Sequence, residues 1–138
     1  MFKKLKTFEI KHRYLILPVI VYFLCNKVQF VNNRLNILTD DKIGIIISMS
    51  SVFLGMLLAT FTLYASFPRT SKAMQRVISS GHDKIFKKSI FTGSILFSLC
   101  ILAWVLDINL IRIADLFLMG ATDVLISIWY IYVITDYL

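Results

Sequence analysis

One carboxylate in this chain lies where a carboxylate is costly. The stretch Ile113–Thr135 holds no basic residue and two acids, Asp115 near its start and Asp123 near its middle. Read as a membrane helix, it puts Asp123 about 15 Å along the axis from each surface. Insertion there costs an acid roughly 2.5–3.5 kcal/mol. No Lys or Arg stands at matching depth in any other apolar stretch, so the group must be neutral, hydrogen-bonded to hydroxyls or wetted by a cavity. At 100° per residue, Asp115, Met119, Thr122, Asp123 and Tyr130 share about one face. Such a polar stripe suits an ion or proton pathway, a gate, or a ring of acids in an oligomer. The plainer alternative is a structural hydrogen bond to a Ser or Thr of the second span.

Other chemistry has few residues to work with. The chain contains no GxSxG, HExxH, Walker lysine or glycine-rich phosphate loop. His12 and His82 have no second ligand at a metal-binding spacing, and His82–Asp83 reads as a solvated turn. Cys25 and Cys100 sit in apolar runs without a CxxC pattern, as small apolar filler. The expectation is a protein that is not an enzyme, with no cofactor and no metal.

The elements that carry Asp123 are apolar spans. Of 138 residues, 58% are hydrophobic and 17% charged, whereas a soluble domain has about a quarter charged. Four spans are expected, at about residues 14–31, 43–67, 89–106 and 113–135, in an all-α integral membrane four-helix bundle. The second is the clearest, uncharged from Ile43 to Phe67 and stopped by Pro68. The first is the weakest: its clean run, Tyr14–Cys25, reaches a crossing length of about 18 residues only if Lys27 snorkels to the outer interface. Residues 1–13, MFKKLKTFEIKHR, form a basic amphipathic N-terminus suited to anionic head groups. Trp129, Tyr130 and Tyr132 form half of an aromatic belt.

The net charge of +7 is distributed unevenly. Lys3, Lys4, Lys6, Lys11 and Arg13 precede the first span; Arg69, Lys72, Arg76, Lys84, Lys87 and Lys88 lie between the second and third. Only Lys27, Arg34, Lys42 and Arg112 fall on the other side. By the positive-inside rule both termini are cytoplasmic, in a multi-pass membrane protein. Cations arranged this way orient a membrane protein, so direct nucleic-acid binding is not expected. The 68–88 loop has order of its own. Thr70 or Ser71 can cap a short helix carrying Met74, Val77 and Ile78, and Gly81 suits its C-terminal stop. This helix would lie on lipid or face a cytoplasmic protein partner, with the six loop cations as contacts.

The second span carries Gly44, Ser48, Ser51, Gly55, Ala59, Thr62 and Ser66 at alternating spacings of three and four. Small residues let backbones approach where lipid offers no hydrophobic contrast. A close packing partner is expected, either within the chain or in a second copy, which would make a homo-oligomer. The third span looks like a filler helix beside it.

The segment FLGMLLATFTLYASFPRTSKAMQRVISSGHDKIFKKSIF resembles, over about residues 50–90, small multi-spanning proteins of bacterial anti-phage loci. These include the membrane effectors of retrons and other abortive-infection systems, and the four-span subunit of the Kiwa system. The resemblance implies a protein that breaches the inner membrane on command, or one that senses perturbation and signals to a cytoplasmic partner. Three readings follow: a pore-forming or depolarising effector, a sensor or scaffold subunit acting through the basic loop, and a small transporter or holin-like protein. The small multidrug transporters share the length but carry their acid in the first span and have tight loops.

Overall fold

A computed structural model describes residues 2–27, 40–108 and 110–135, all built from helices and their connections. The helices are α1 (Phe2–Lys27), α2 (Asp40–Ser66), α3 (Lys72–Ser80), α4 (His82–Val105) and α5 (Leu110–Thr135). Stretches of α2, α4 and α5, namely Asp41–Ser66, His82–Val105 and Ile111–Ile134, are long and apolar enough to cross a membrane. In α1 the apolar part is Tyr14–Lys27, shorter than those three. Residues 28–31, expected to complete the first span, lie outside the described residues. The helix runs without a break through Arg13 and Tyr14, the expected boundary between the amphipathic N-terminus and the first span.

Ile45, Val52 and Leu63 of α2 and Phe91 of α4 are each more than 60% exposed, on surfaces that water would not tolerate in such number. Lipid is the solvent that suits them. This agrees with the composition and with the absence of charge between Ile43 and Phe67.

The four long helices run up and down. Tyr14 of α1 meets Lys88 at the start of α4, and Tyr64 at the end of α2 meets Asp83. α4 packs against each of the other four helices. It is therefore the central element, and the expectation of a filler helix is corrected. The reason lies in its small and aromatic residues. A Cβ added to Gly93 would stand 3.0 Å from the Asp123 Cβ of α5 and 3.1 Å from Leu57 of α2. One added to Gly120 of α5 would stand 2.9 Å from the ring of Phe97 in α4. These two glycines let α4 and α5 approach closely. Phe97 is wholly buried, its ring 5.7 Å from Phe53 and 6.1 Å from Phe117. Toward the other end, Ile43, Ile47, Cys100, Ala103 and Ile113 form a second cluster.

The short turns follow their capping residues. Ser71 accepts from the Met74 N–H at 3.2 Å, and Gly81 adopts the left-handed φ of 80° that ends α3. Between α4 and α5, Asp107 takes a φ of 54°. Its N–H bonds to the Trp104 carbonyl at 3.0 Å and that of Ile108 to Ala103 at 2.9 Å, a Schellman closure with aspartate in the place usually held by glycine.

Candidate functional site

Asp123 is fully enclosed, and its partner comes from α4 rather than from the second span. Ser89 Oγ donates to the Asp123 backbone carbonyl at 3.0 Å and has a second contact with Oδ1 at 3.5 Å. Ser127 Oγ lies 3.3 Å from Ser89 Oγ. The other carboxyl oxygen, Oδ2, is buried without a hydrogen-bond partner. Gly93 opens the space for this acid, since a Cβ there would stand only 3.0 Å from the Asp123 Cβ, tighter than an ordinary contact.

Asp115, Thr122 and Asp123, three of the five residues expected to share one face, are separated by the packing. Asp115 is 6% exposed and lies beside Asn26 of α1, about 12 Å along α5 from Asp123. Thr122 turns its hydroxyl back to the Leu118 carbonyl at 2.9 Å and borders a groove with Leu17 of α1. The face is inward, but it meets two different helices and does not form one continuous channel wall in a single protomer.

The small-residue seam of α2 points away from the bundle. Ser48, Ser51, Gly55, Ala59, Thr62 and Ser66 are exposed, and Gly44 is partly so. Nothing lies within 4 Å of a Cβ built on Gly44 or Gly55. Ser48, Ser51 and Thr62 bond to carbonyls of their own helix, and Ser66 does the same one residue closer. The close packing expected of the seam is thus absent from the interior of the described protomer. Helix α2 turns the opposite face, with Ile43, Ile47, Ser50, Leu57 and Tyr64, to the core.

At the basic end, α3 buries Met74 and Val77 against a cluster that includes Tyr64, Ile85, Phe86 and Ile134. Ile78, the third residue of the expected apolar face, is 39% exposed. Two of these three apolar side chains are thus covered by the bundle, and the third is left at the surface. Arg69, Lys72, Arg76 and Lys84 are exposed; Lys88 is exposed as well but turns its ammonium to Tyr14, and Lys87 is partly buried. Lys87 pairs with Asp83 at 2.9 Å, and Lys88 donates to the Tyr14 hydroxyl at 3.3 Å. Asp83 is not in a solvated turn: it is 6% exposed and accepts a hydrogen bond from the Tyr64 hydroxyl. His82 beside it lies tilted against Tyr130, their ring centroids 5.7 Å apart. Reading the sequence missed this clasp. The i,i+4 spacing of Asp83 and Lys87 was visible, but the phenol that completes it is nineteen residues away.

No family model, curated protein or solved structure matches the chain.

Proposed function

We propose that this protein is a four-span inner-membrane sensor or docking subunit of a bacterial anti-phage system, with both termini in the cytoplasm. The observation that carries the reading is the α3 platform. Its apolar residues Met74 and Val77 are covered by the bundle, its ends are capped by Ser71 and Gly81, and Arg69, Lys72, Arg76 and Lys84 face outward. A helix laid on lipid would keep an apolar face for the bilayer; this one has buried Met74 and Val77 and leaves Ile78 at the surface, so what it chiefly offers is charge. An acidic surface of a cytoplasmic protein is the partner that such a face fits. The clasp beside it joins α2 to α4, so a shift among the spans would move the platform. The fourth crossing is supported by the course of α1, which has Leu17 near Tyr130 and Tyr22 near Asp115 and so runs antiparallel along α5.

A second reading, a depolarising homo-oligomer, draws on the outward seam of α2, which lies open for another copy. A ring of Asp123 carboxylates around a lumen, however, requires that residue on the outer surface of the protomer. At 0% exposure, under Gly93, it would reach a lumen only after α5 turned.

Overproduction with a membrane-potential dye tests the choice. The sensor reading expects an unchanged potential at high protein level. It further expects that Gln at positions 69, 72, 76 and 84 abolishes phage protection, in cells carrying the neighbouring genes, without lowering protein yield. Depolarisation by the wild-type chain alone would favour the effector instead.

A further inference from the structure

A half-open groove of about 470 Å³ runs between α2 and α4 on the outside of the bundle. Leu54, Leu58 and Phe61 border it from α2, and Phe91, Ile95 and Leu99 from α4. Ser94 and Ser98 also line it, and their short side chains leave the space that the larger residues flank. Lys87 is the charged residue of the lining, and it stands at one end, since Ser89–Leu106 carries no charge. The groove thus has a cationic mouth and an apolar length. Lys84 adds to the mouth. At 100° per residue, Lys84, Lys87, Phe91, Ser94, Ile95 and Ser98 fall within an arc of about 100° on α4. Lys84 is exposed and makes no ion pair among the described residues. Lys87 pairs with Asp83 at 2.9 Å but keeps 34% of its side chain exposed. Asp83 itself is buried and held by Tyr64, so it offers the mouth no open negative charge.

We propose that this groove holds one acyl chain of an anionic phospholipid, drawn from the leaflet on the α3 side, with its phosphate at Lys84 and Lys87. The assignment rests on α2 and α4 spanning the bilayer, and not on the protein partner proposed above. Its polarity is the natural one. Helical side chains lean toward the N-terminus, so Lys87 reaches back to Asp83, away from the hydrocarbon. From Lys87 the groove descends twelve residues to Leu99, about 18 Å along the axis. One leaflet of a hydrocarbon core about 30 Å thick has a similar depth. A zwitterionic head group fits less well, because its ammonium would meet two lysines with no exposed acid beside them among the described residues. A second copy of the chain fits less well too. In the same orientation it would bring its own Lys84 and Lys87 to the same level, and like charges would face each other.

Native mass spectrometry of the full chain, released from micelles with equal amounts of phosphatidylglycerol and phosphatidylcholine of identical acyl chains, tests the assignment. Wild type should retain phosphatidylglycerol at least threefold over phosphatidylcholine. Lys84→Gln, at an exposed position, should abolish that preference with unchanged thermal unfolding. Ser98→Phe fills the groove and should lower retention of both lipids severalfold. Ile128→Phe, on the exposed side of α5, should behave as wild type does. Equal retention of the two lipids by wild type, or an unchanged preference in Lys84→Gln, would overturn the proposal, even if Ser98→Phe misfolds. Displacement of the lipid by millimolar inorganic phosphate would assign the mouth to a soluble anion and overturn the acyl-chain assignment. A lipid-free dimer that Ser98→Phe dissociates would give the groove to a second copy instead.

Discussion

The hydroxyl of Tyr64, near the end of α2, donates to the carboxylate of Asp83 in the first turn of α4. The acid also stands at a helix N-terminus, where the backbone dipole favours negative charge. With Lys87 closing on it from the next turn, the contact ties two spans at the point where the α3 platform begins. Tyr64→Phe should remove a charge-assisted hydrogen bond worth about 1.5–3 kcal/mol while keeping the ring against Phe86. Thermal unfolding in detergent should show the loss, and protease should cut the 68–81 segment faster. A variant as stable and as resistant as wild type would mean the clasp does not hold the platform.

The glycines divide into two classes with opposite forecasts. Gly120→Ala drives a Cβ to within 2.9 Å of the rigid Phe97 ring, and overpacking of this kind costs about 1–3 kcal/mol. Gly55→Ala meets open space and should not reduce protomer stability, since alanine is the better helix former. Gly55→Leu should act only on association between copies. Parallel unfolding and crosslinking of the three variants separates the two effects. Loss of protomer stability in Gly55→Ala would place α2 the other way round.

Asp123 should behave as an interior group. The hydrogen bond from Ser89 at 3.0 Å goes to the backbone carbonyl, so Asp123→Asn keeps it and adds only an amide where Oδ2 already lacks a partner. The expected result is normal insertion, a stability change of about 1 kcal/mol or less and an unaltered membrane potential in cells. Ser89→Val, which removes the donor and adds bulk at a fully buried position, should cost more. Ion conductance that depends on Asp123 would contradict this.

The proposed orientation, with both termini cytoplasmic, rests on four crossings that put eleven cations on one side and four on the other. A single cysteine at Ser80, in a background where Cys25 and Cys100 are replaced, should resist an impermeant thiol reagent in intact cells. One at Asn36, between α1 and α2, should label. Labelling at Ser80 would invert the topology.

Much of this architecture was legible because it depends on local signals. The uncharged run to Phe67, the Ser71 cap and the Gly81 stop each act within a few residues, and each appears where the sequence places it. The use of each face was not legible. Gly44, Ser51 and Gly55 permit close approach with equal ease to a helix of the same chain or of another, and periodicity carries no address. The central position of α4 depends on Gly93 and Gly120 opposing Asp123 and Phe97, which are matches between helices rather than patterns within one. Asp83 looked solvated because its phenol partner comes from the preceding span. Asp115 and Asp123 looked like one stripe, but at eight residues apart they meet α1 and α4 respectively.

The central claim is that the four outward cations around α3 receive a protein partner. A photo-crosslinking residue placed at Arg76, in cells carrying the neighbouring genes, addresses it directly. The account predicts a discrete protein adduct that disappears when Lys72 and Lys84 are changed to Gln, and no such adduct from the same residue placed at Leu58 on the lipid-facing side of α2. Crosslinks from position 76 to lipid or to other copies of the chain alone, with no heterologous protein, would contradict it.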